Sequence, residues 1–222
     1  MPPLPNDVML ASIVEIFKIE VTKIESIFAS CVNHDFVFGY RFEYRPTEDG
    51  CLISLWDSWN RFLRKLIVTS ASGHARGSQE LYLPQKTRTE DEVIADLNQN
   101  KKEPGRNFGI DRGEPKWSTK DCLVSIIDFL ELPNGEQIAG AVGSSEISIF
   151  SSTVRNPLPE IKYCRNFVAH KGGNTLSLID GQYGNSPLIS ISAHMRDLRH
   201  GGIETFSEWS ECLVAIATNA AK

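Results

Sequence analysis

The chain begins with two different rhythms of apolar residues, one after the other. Val8, Ile13, Ile16, Phe17, Ile24, Ile27 and Phe28 recur at helical spacing, with Glu15, Lys18, Lys23 and Glu25 between them. That pattern predicts an amphipathic helix capped by Asp7 and running to about Ser30. The period then shortens to two. Phe36, Phe38, Tyr40, Phe42 and Tyr44 alternate with Val37, Gly39, Arg41 and Glu43, which predicts a strand with its aromatics on one side. Such a side serves either as the inner face of a small sheet or as a platform on which bases stack.

Helical spacing returns with Leu52, Leu55, Trp56, Trp59, Leu63, Leu66 and Ile67, so a second helix is expected from Leu52 to about Thr69. Ser70 to Ser78 is rich in glycine and serine and lacks the lysine of a phosphate-binding loop; it is expected to be a connector. A short helix is expected over Asp91–Gln99. The stretch from Lys101 to Lys116, broken by Pro104, Gly105, Gly109, Gly113 and Pro115, predicts a mobile inserted loop. Ser118 to Asp121 supplies a cap and an acidic first turn for a helix through Leu132, and Glu136–Val142 suggests another. Ile147 to Val154 fits strand and helix equally well.

Pro157 and Pro159 precede a helix that ends at Gly172 and Gly173. Beyond it, Thr175–Ile179 and Leu188–Ser192 flank Gly181 to Asn185. That predicts a hairpin that could pair with the aromatic strand. A closing helix is expected from Ile203 to Asn219. The predicted fold is therefore mainly α, a helical bundle with a small accessory sheet or hairpin, in one domain over 1–222 with an inserted loop around 101–116.

Composition narrows the function classes. A net charge of −5 excludes a general polyanion binder and requires any nucleic-acid contact to be local. The five cysteines are scattered, with neither zinc-site nor disulfide-framework spacing. They are expected to be reduced and largely internal, which points to the cytoplasm. The N-terminal residues lack a basic signal-peptide start, and no apolar run is long enough to span a membrane.

The chemistry concentrates in Tyr163-Cys164-Arg165-Asn166-Phe167-Val168-Ala169-His170-Lys171. Arginine offers a fixed fork of donors to a phosphate, and histidine titrates nearest neutrality. At about 100° per residue, Asn166 and His170 share a helix face, whereas Arg165 points about 140° from His170. One straight helix does not aim both groups at one phosphate. Either the arginine stem wraps round near the glycine end or a second subunit completes the site.

Arginine, a polar residue, three residues and then histidine resembles the signature of the HEPN families (higher eukaryotes and prokaryotes nucleotide-binding). Many members are metal-independent ribonucleases that serve as toxins or antiviral effectors. The resemblance rests on Arg165, Asn166 and His170, on the helix ending at a glycine pair, and on its place in the last third of the chain. It implies a homodimer with a composite cleft, in which RNA is cut by its own 2′-hydroxyl to leave a cyclic phosphate. It assigns proton transfer to His170, phosphate binding to Arg165 and orientation to Asn166, with no cofactor or metal. An antitoxin or defence-system partner would restrain it. A non-catalytic protein- or nucleotide-binding module is the alternative.

Other residues are weaker candidates for holding RNA. Lys171 follows the motif directly. Arg61, Arg64 and Lys65 form the densest basic cluster, which is either a solvated helix face or a phosphate contact. His194, Arg196, Arg199 and His200 make a basic strip that could border the cleft or be a solvated turn. A metal site from His194, Asp197 and His200 matches no strong ligand spacing.

Overall fold

The computed structural model describes residues 8–39, 45–73, 75–78, 81–100, 107–110, 115–149, 152–170 and 190–222. The first helix, α1 (Leu10–Phe38), follows a stricter pattern than expected. Leu10, Val14, Phe17, Val21, Ile24, Phe28 and Cys31 alternate steps of four and three, and all are buried. Ile16 and Ile27, expected in the stripe, are 62% and 50% exposed. The helix carries two apolar lines, and the more regular one faces inward.

α1 also overruns its expected end at Ser30. Phe36 and Phe38 lie in its last turn, not in a strand, and both side chains are exposed. Extending an existing helix adds a hydrogen bond with each residue fixed, whereas starting a strand needs a partner to pair with. Tyr40, Phe42 and Tyr44 lie outside the described residues. At the other end, Val8 and Met9 form β1 (Val8–Met9), so Val8 is not helical.

The second helix, α2 (Arg45–Ser72), starts seven residues earlier than predicted. Pro46 tolerates the first turn, and Glu48 there meets the positive end of the helix dipole. The expected connector begins inside this helix, at Ser70. It then turns at Gly73 (φ +84°) and enters β2 (Ala75–Arg76). β2 pairs in parallel with β1 and antiparallel with β3 (Leu81–Tyr82).

α3 (Glu90–Gln99) opens on a reciprocal cap: the Glu92 N–H donates to the Thr89 hydroxyl, and the Thr89 N–H donates to the Glu92 carboxylate at 2.7 Å. Part of the expected mobile loop is anchored. Phe108 is buried beside Phe129, with ring centroids 5.3 Å apart, and the Lys116 N–H donates to the Phe108 carbonyl. α4 (Lys120–Leu130) and α5 (Gly135–Gly143) lie close to their predicted bounds. Their junction requires Gly135, where a Cβ would come within 2.3 Å of an Ile127 methyl.

The ambiguous run resolves into an antiparallel hairpin, β4 (Glu146–Ile149) with β5 (Ser152–Arg155), in which Ile147 pairs with Val154. α6 (Leu158–His170) follows. The second expected strand at 188–192 is corrected: Ser190 caps α7 (Ile191–Arg196), its hydroxyl accepting from the Ala193 N–H. A side-chain cap satisfies a helix-start donor locally, whereas a strand there needs a distant partner. Thr175 to Ile179 and the proposed turn lie outside the described residues. A 3-10 turn at His200–Gly202 leads to α8 (Thr205–Ala220).

The fold is mainly α with small sheets, and among the described residues no helix is long and apolar enough to cross a membrane. Contacts gather into two compact units. The first comprises Met1–Phe17, Trp59–Ser144 and Ile216–Lys222; the second comprises Lys18–Ser58 and Ser145–Ala215. In the first, Phe17 packs on Phe62 at 5.0 Å, with Trp59 beside both. In the second, Phe28 stacks on Phe206 at 4.4 Å.

Candidate functional site

α6 forms where the sequence supports a start: the Leu158 N–H donates to the side-chain oxygen of Asn156, and Pro159 occupies the first turn. Its inner face is Leu158, Glu160, Ile161 and Cys164, all buried. Arg165 and Asn166 sit at the boundary, each half-buried. An Arg165 Nη1 donates to Asn166 Oδ1 at 3.4 Å. The Arg165 Nε is buried and has no acceptor among the described residues. His170 is the last residue of α6. One helix thus carries all three motif positions; Lys171 lies outside the described residues.

The inner face of α6 holds an acid that sequence reasoning missed. Glu160 is 2% exposed and accepts hydrogen bonds from several sides. His194 Nε2 lies 2.7 Å from its Oε1, and Arg199 Nη2 donates to that same oxygen. Arg199 Nη1 donates to Oε2 at 3.1 Å, and the Trp209 indole N–H does so at 3.2 Å. Arg199 also donates to Glu208 at 3.3 Å. Burial by itself would raise the Glu160 carboxyl. The hydrogen bonds from His194 and Arg199, together with their charge, outweigh burial and hold it below the ordinary carboxylate range.

Arg196 makes a second cluster of the same kind. It donates to Glu48 and lies 2.7 Å from an Asp35 oxygen, and both acids are buried. The expected basic strip is therefore largely matched by carboxylates: His194, Arg196 and Arg199 all face acids within the second unit. Bound this way, the two arginines secure α7 and the turn after it to α1, α2, α6 and α8. A charged pair withdrawn from water demands good geometry and further hydrogen bonds, and Glu160 has both.

No family model matches the sequence, and no curated protein or solved structure matches it.

Arg61, Arg64 and Lys65 fall in the first unit, whereas α6 falls in the second. Arg64 donates to Glu90 at 2.6 Å, which lowers the Glu90 carboxyl; Arg61 and Lys65 are exposed. Cys164, next to the motif arginine, is no nucleophile: full burial and the neighbouring Glu160 push its thiol far up. All five cysteines are buried and unpaired. Among the described residues, no group of three or more His, Cys, Asp or Glu is placed to hold a metal ion.

Glu160 and Glu208 left a faint sequence signal. Each is an acid set directly beside an apolar helical line, Leu158–Ile161–Cys164 in one case and Trp209–Cys212–Ile216 in the other. Acids are almost never fully buried unless paired. Their partners, however, lie 39 and 9 residues away along the chain.

Proposed function

We propose that this chain is a metal-independent endoribonuclease of the HEPN type, acting in the cytoplasm as a homodimer with a composite site. The observation that carries this reading is the division of α6 into two faces. Its buried face is fixed by the Glu160 hydrogen bonds, while Arg165 and Asn166 stand together at the boundary with the Arg165 Nε unsatisfied among the described residues. A guanidinium presented from a rigid helix suits a phosphate in a strained transition state.

In the proposed reaction the RNA 2′-oxygen forms a bond to phosphorus as the bond to the 5′-oxygen breaks. The 2′-hydroxyl proton is removed, and one is returned to the leaving oxygen. His170 handles proton transfer, Arg165 holds the phosphate oxygens, and Asn166 orients its neighbours. Lys171, Arg61, Arg64, Lys65, Arg196 and Arg199 were assigned to the RNA backbone by sequence. Arg64, Arg196 and Arg199 are engaged by carboxylates and leave the proposal; Lys171, which follows the motif directly, stays in it on its sequence position alone. The biological role proposed is a toxin or antiviral-defence effector restrained by a partner protein.

The carboxylates around Arg196 and Arg199 favour a second reading, a helical module that binds protein or nucleotide without cutting RNA. End-group analysis separates the two. Purified chain is incubated with mixed RNA in EDTA beside His170→Ala. The nuclease reading expects 2′,3′-cyclic phosphate and 5′-hydroxyl ends from the parent chain and none from the variant. Intact RNA in both lanes across a broad RNA pool favours the binding module.

A further inference from the structure

α4 and α5 lie in the first unit and leave a groove of about 340 Å³ between them. Val124, Leu132 and Ala139 supply apolar lining, and Asp128, Glu131 and Glu136 supply carboxylates. The helix period explains why both kinds of residue reach the surface. Val124 and Asp128 sit about 40° apart around α4, whose opposite side carries the buried Cys122, Ile126 and Leu130. Around α5, Glu136, Ala139 and Gly140 fall within about 100° of one another, while Ile138 and Val142 are buried. Val124 is 38% exposed, and all three acids are exposed.

Charge sets this groove apart. Between Lys120 and Arg155 the chain has five acids and no lysine or arginine, a formal −5 that equals the net charge of all 222 residues. Three of those five acids line the groove. Among the described residues, none of the three carboxylates makes a hydrogen bond or an ion pair. Glu160 and Glu48 in the second unit, by contrast, each hold an arginine. Like charges left unmatched near one another repel, and an approaching cation relieves that repulsion.

We propose that this groove docks a basic helix of another protein, its apolar side chains resting on Val124 and Leu132 and its lysines or arginines reaching the three acids. Charge complementarity decides the occupant. An apolar floor alone accepts any apolar segment, whereas unmatched carboxylates on both sides of it select a cationic one and reject the same acidic face of a second copy. Size points the same way. A volume of about 340 Å³ is near the lower end for a site that encloses a whole ligand. With its acids exposed, the groove instead takes one or two side chains of a larger partner. α5 presents nothing bulkier than a methyl group at Ala139 and Gly140, and a Cβ at Gly140 would meet nothing within 4 Å. A partner helix can therefore approach closely and seat its anchors.

The inference stands apart from the nuclease reading, and its test contains no RNA. The probe is a labelled synthetic helix of about 18 residues, with leucines along one face and lysines on the rest. Fluorescence anisotropy follows its titration with the full chain, and a dissociation constant on the order of 10–100 µM is expected. Asp128→Lys should raise that constant by about 10-fold or more, and Val124→Ser by about 3-fold. Asp57→Lys makes the same change of net charge at an exposed acid of the second unit, and should alter binding by less than about 2-fold. A peptide with glutamine in place of leucine should bind about 10-fold more weakly, and one with glutamate in place of lysine should not bind. Circular dichroism melts verify that each variant is folded. No binding of the leucine–lysine helix at about 500 µM chain would overturn the proposal. So would equal weakening by Asp57→Lys and Asp128→Lys, or equal binding of the glutamine peptide. Displacement of the helix by equimolar spermidine would assign the groove to a free amine and overturn it as well.

Discussion

Arg199 and Arg64 each hold a glutamate, in different compact units, and the two pairs carry very different weight. Arg64 meets Glu90 where both side chains remain wet, 29% and 46% exposed. Arg199 meets Glu160 where the acid is 3% exposed by its side chain, and His194 and Trp209 share the same carboxylate. Water already solvates the first pair well, so little is gained by pairing and little is lost by separation. The second pair has lost its water, and each member depends on the others. The same residue types thus decorate one helix surface and determine how another helix is seated.

The sharpest way to break this contrast is Glu160→Gln. It preserves shape, removes the charge and leaves Arg199 beside His194 with Glu208, at 3.3 Å, as its remaining acid. Urea unfolding at neutral pH should show a loss of about 3–5 kcal/mol. The pH dependence has a definite sign. The folded carboxyl titrates below its unfolded value, so its contribution is present above the unfolded pKa and disappears as pH falls through the folded one. The parent chain should therefore lose stability on acidification below about pH 4.3 more steeply than the variant. Trp209→Phe removes one donor to the same carboxylate and should cost about 2 kcal/mol in the same measurement.

Glu25 gives the opposite sign. Burial and the neighbouring Glu211 charge push its carboxyl up to about 7, against a hydrogen bond from Ser207. A raised folded pKa means that stability is fullest below the unfolded value and falls as pH rises through 7. Glu25→Gln should stabilise the chain by about 1 kcal/mol at pH 8, after solvent screening of this partly exposed group, and change little at pH 4. Thermal melts at the two pH values read it directly. Arg64→Ala, at the wet end of the comparison, should change urea-unfolding stability by no more than about 0.5 kcal/mol. A larger loss would mean that the surface pair is coupled to something beyond Glu90.

What the sequence disclosed follows the range of the interactions involved. α3, α4, α5 and α8 lie within one or two residues of their predicted bounds, because apolar spacing, acidic first turns and Gly135 act locally. The end of α1 was misread since Phe36 and Phe38 alternate like a strand, and nothing local records that a long helix continues through them. The basic strip was legible as charge but not as partners. Arg196 reaches an acid 148 residues away, and no short-range pattern encodes such a contact. The motif on α6 was legible as a motif because Arg165, Asn166 and His170 lie within six residues.

The central claim is that α6 keeps one face for structure and the other for RNA. Arg165→Ala tests it most directly, with RNA cleavage in EDTA and urea unfolding measured on the same preparation. The prediction is a chain that unfolds within about 1 kcal/mol of the parent yet no longer cuts RNA that the parent cuts. Cleavage equal to the parent's from the folded variant would contradict the claim and remove Arg165 from any role in catalysis.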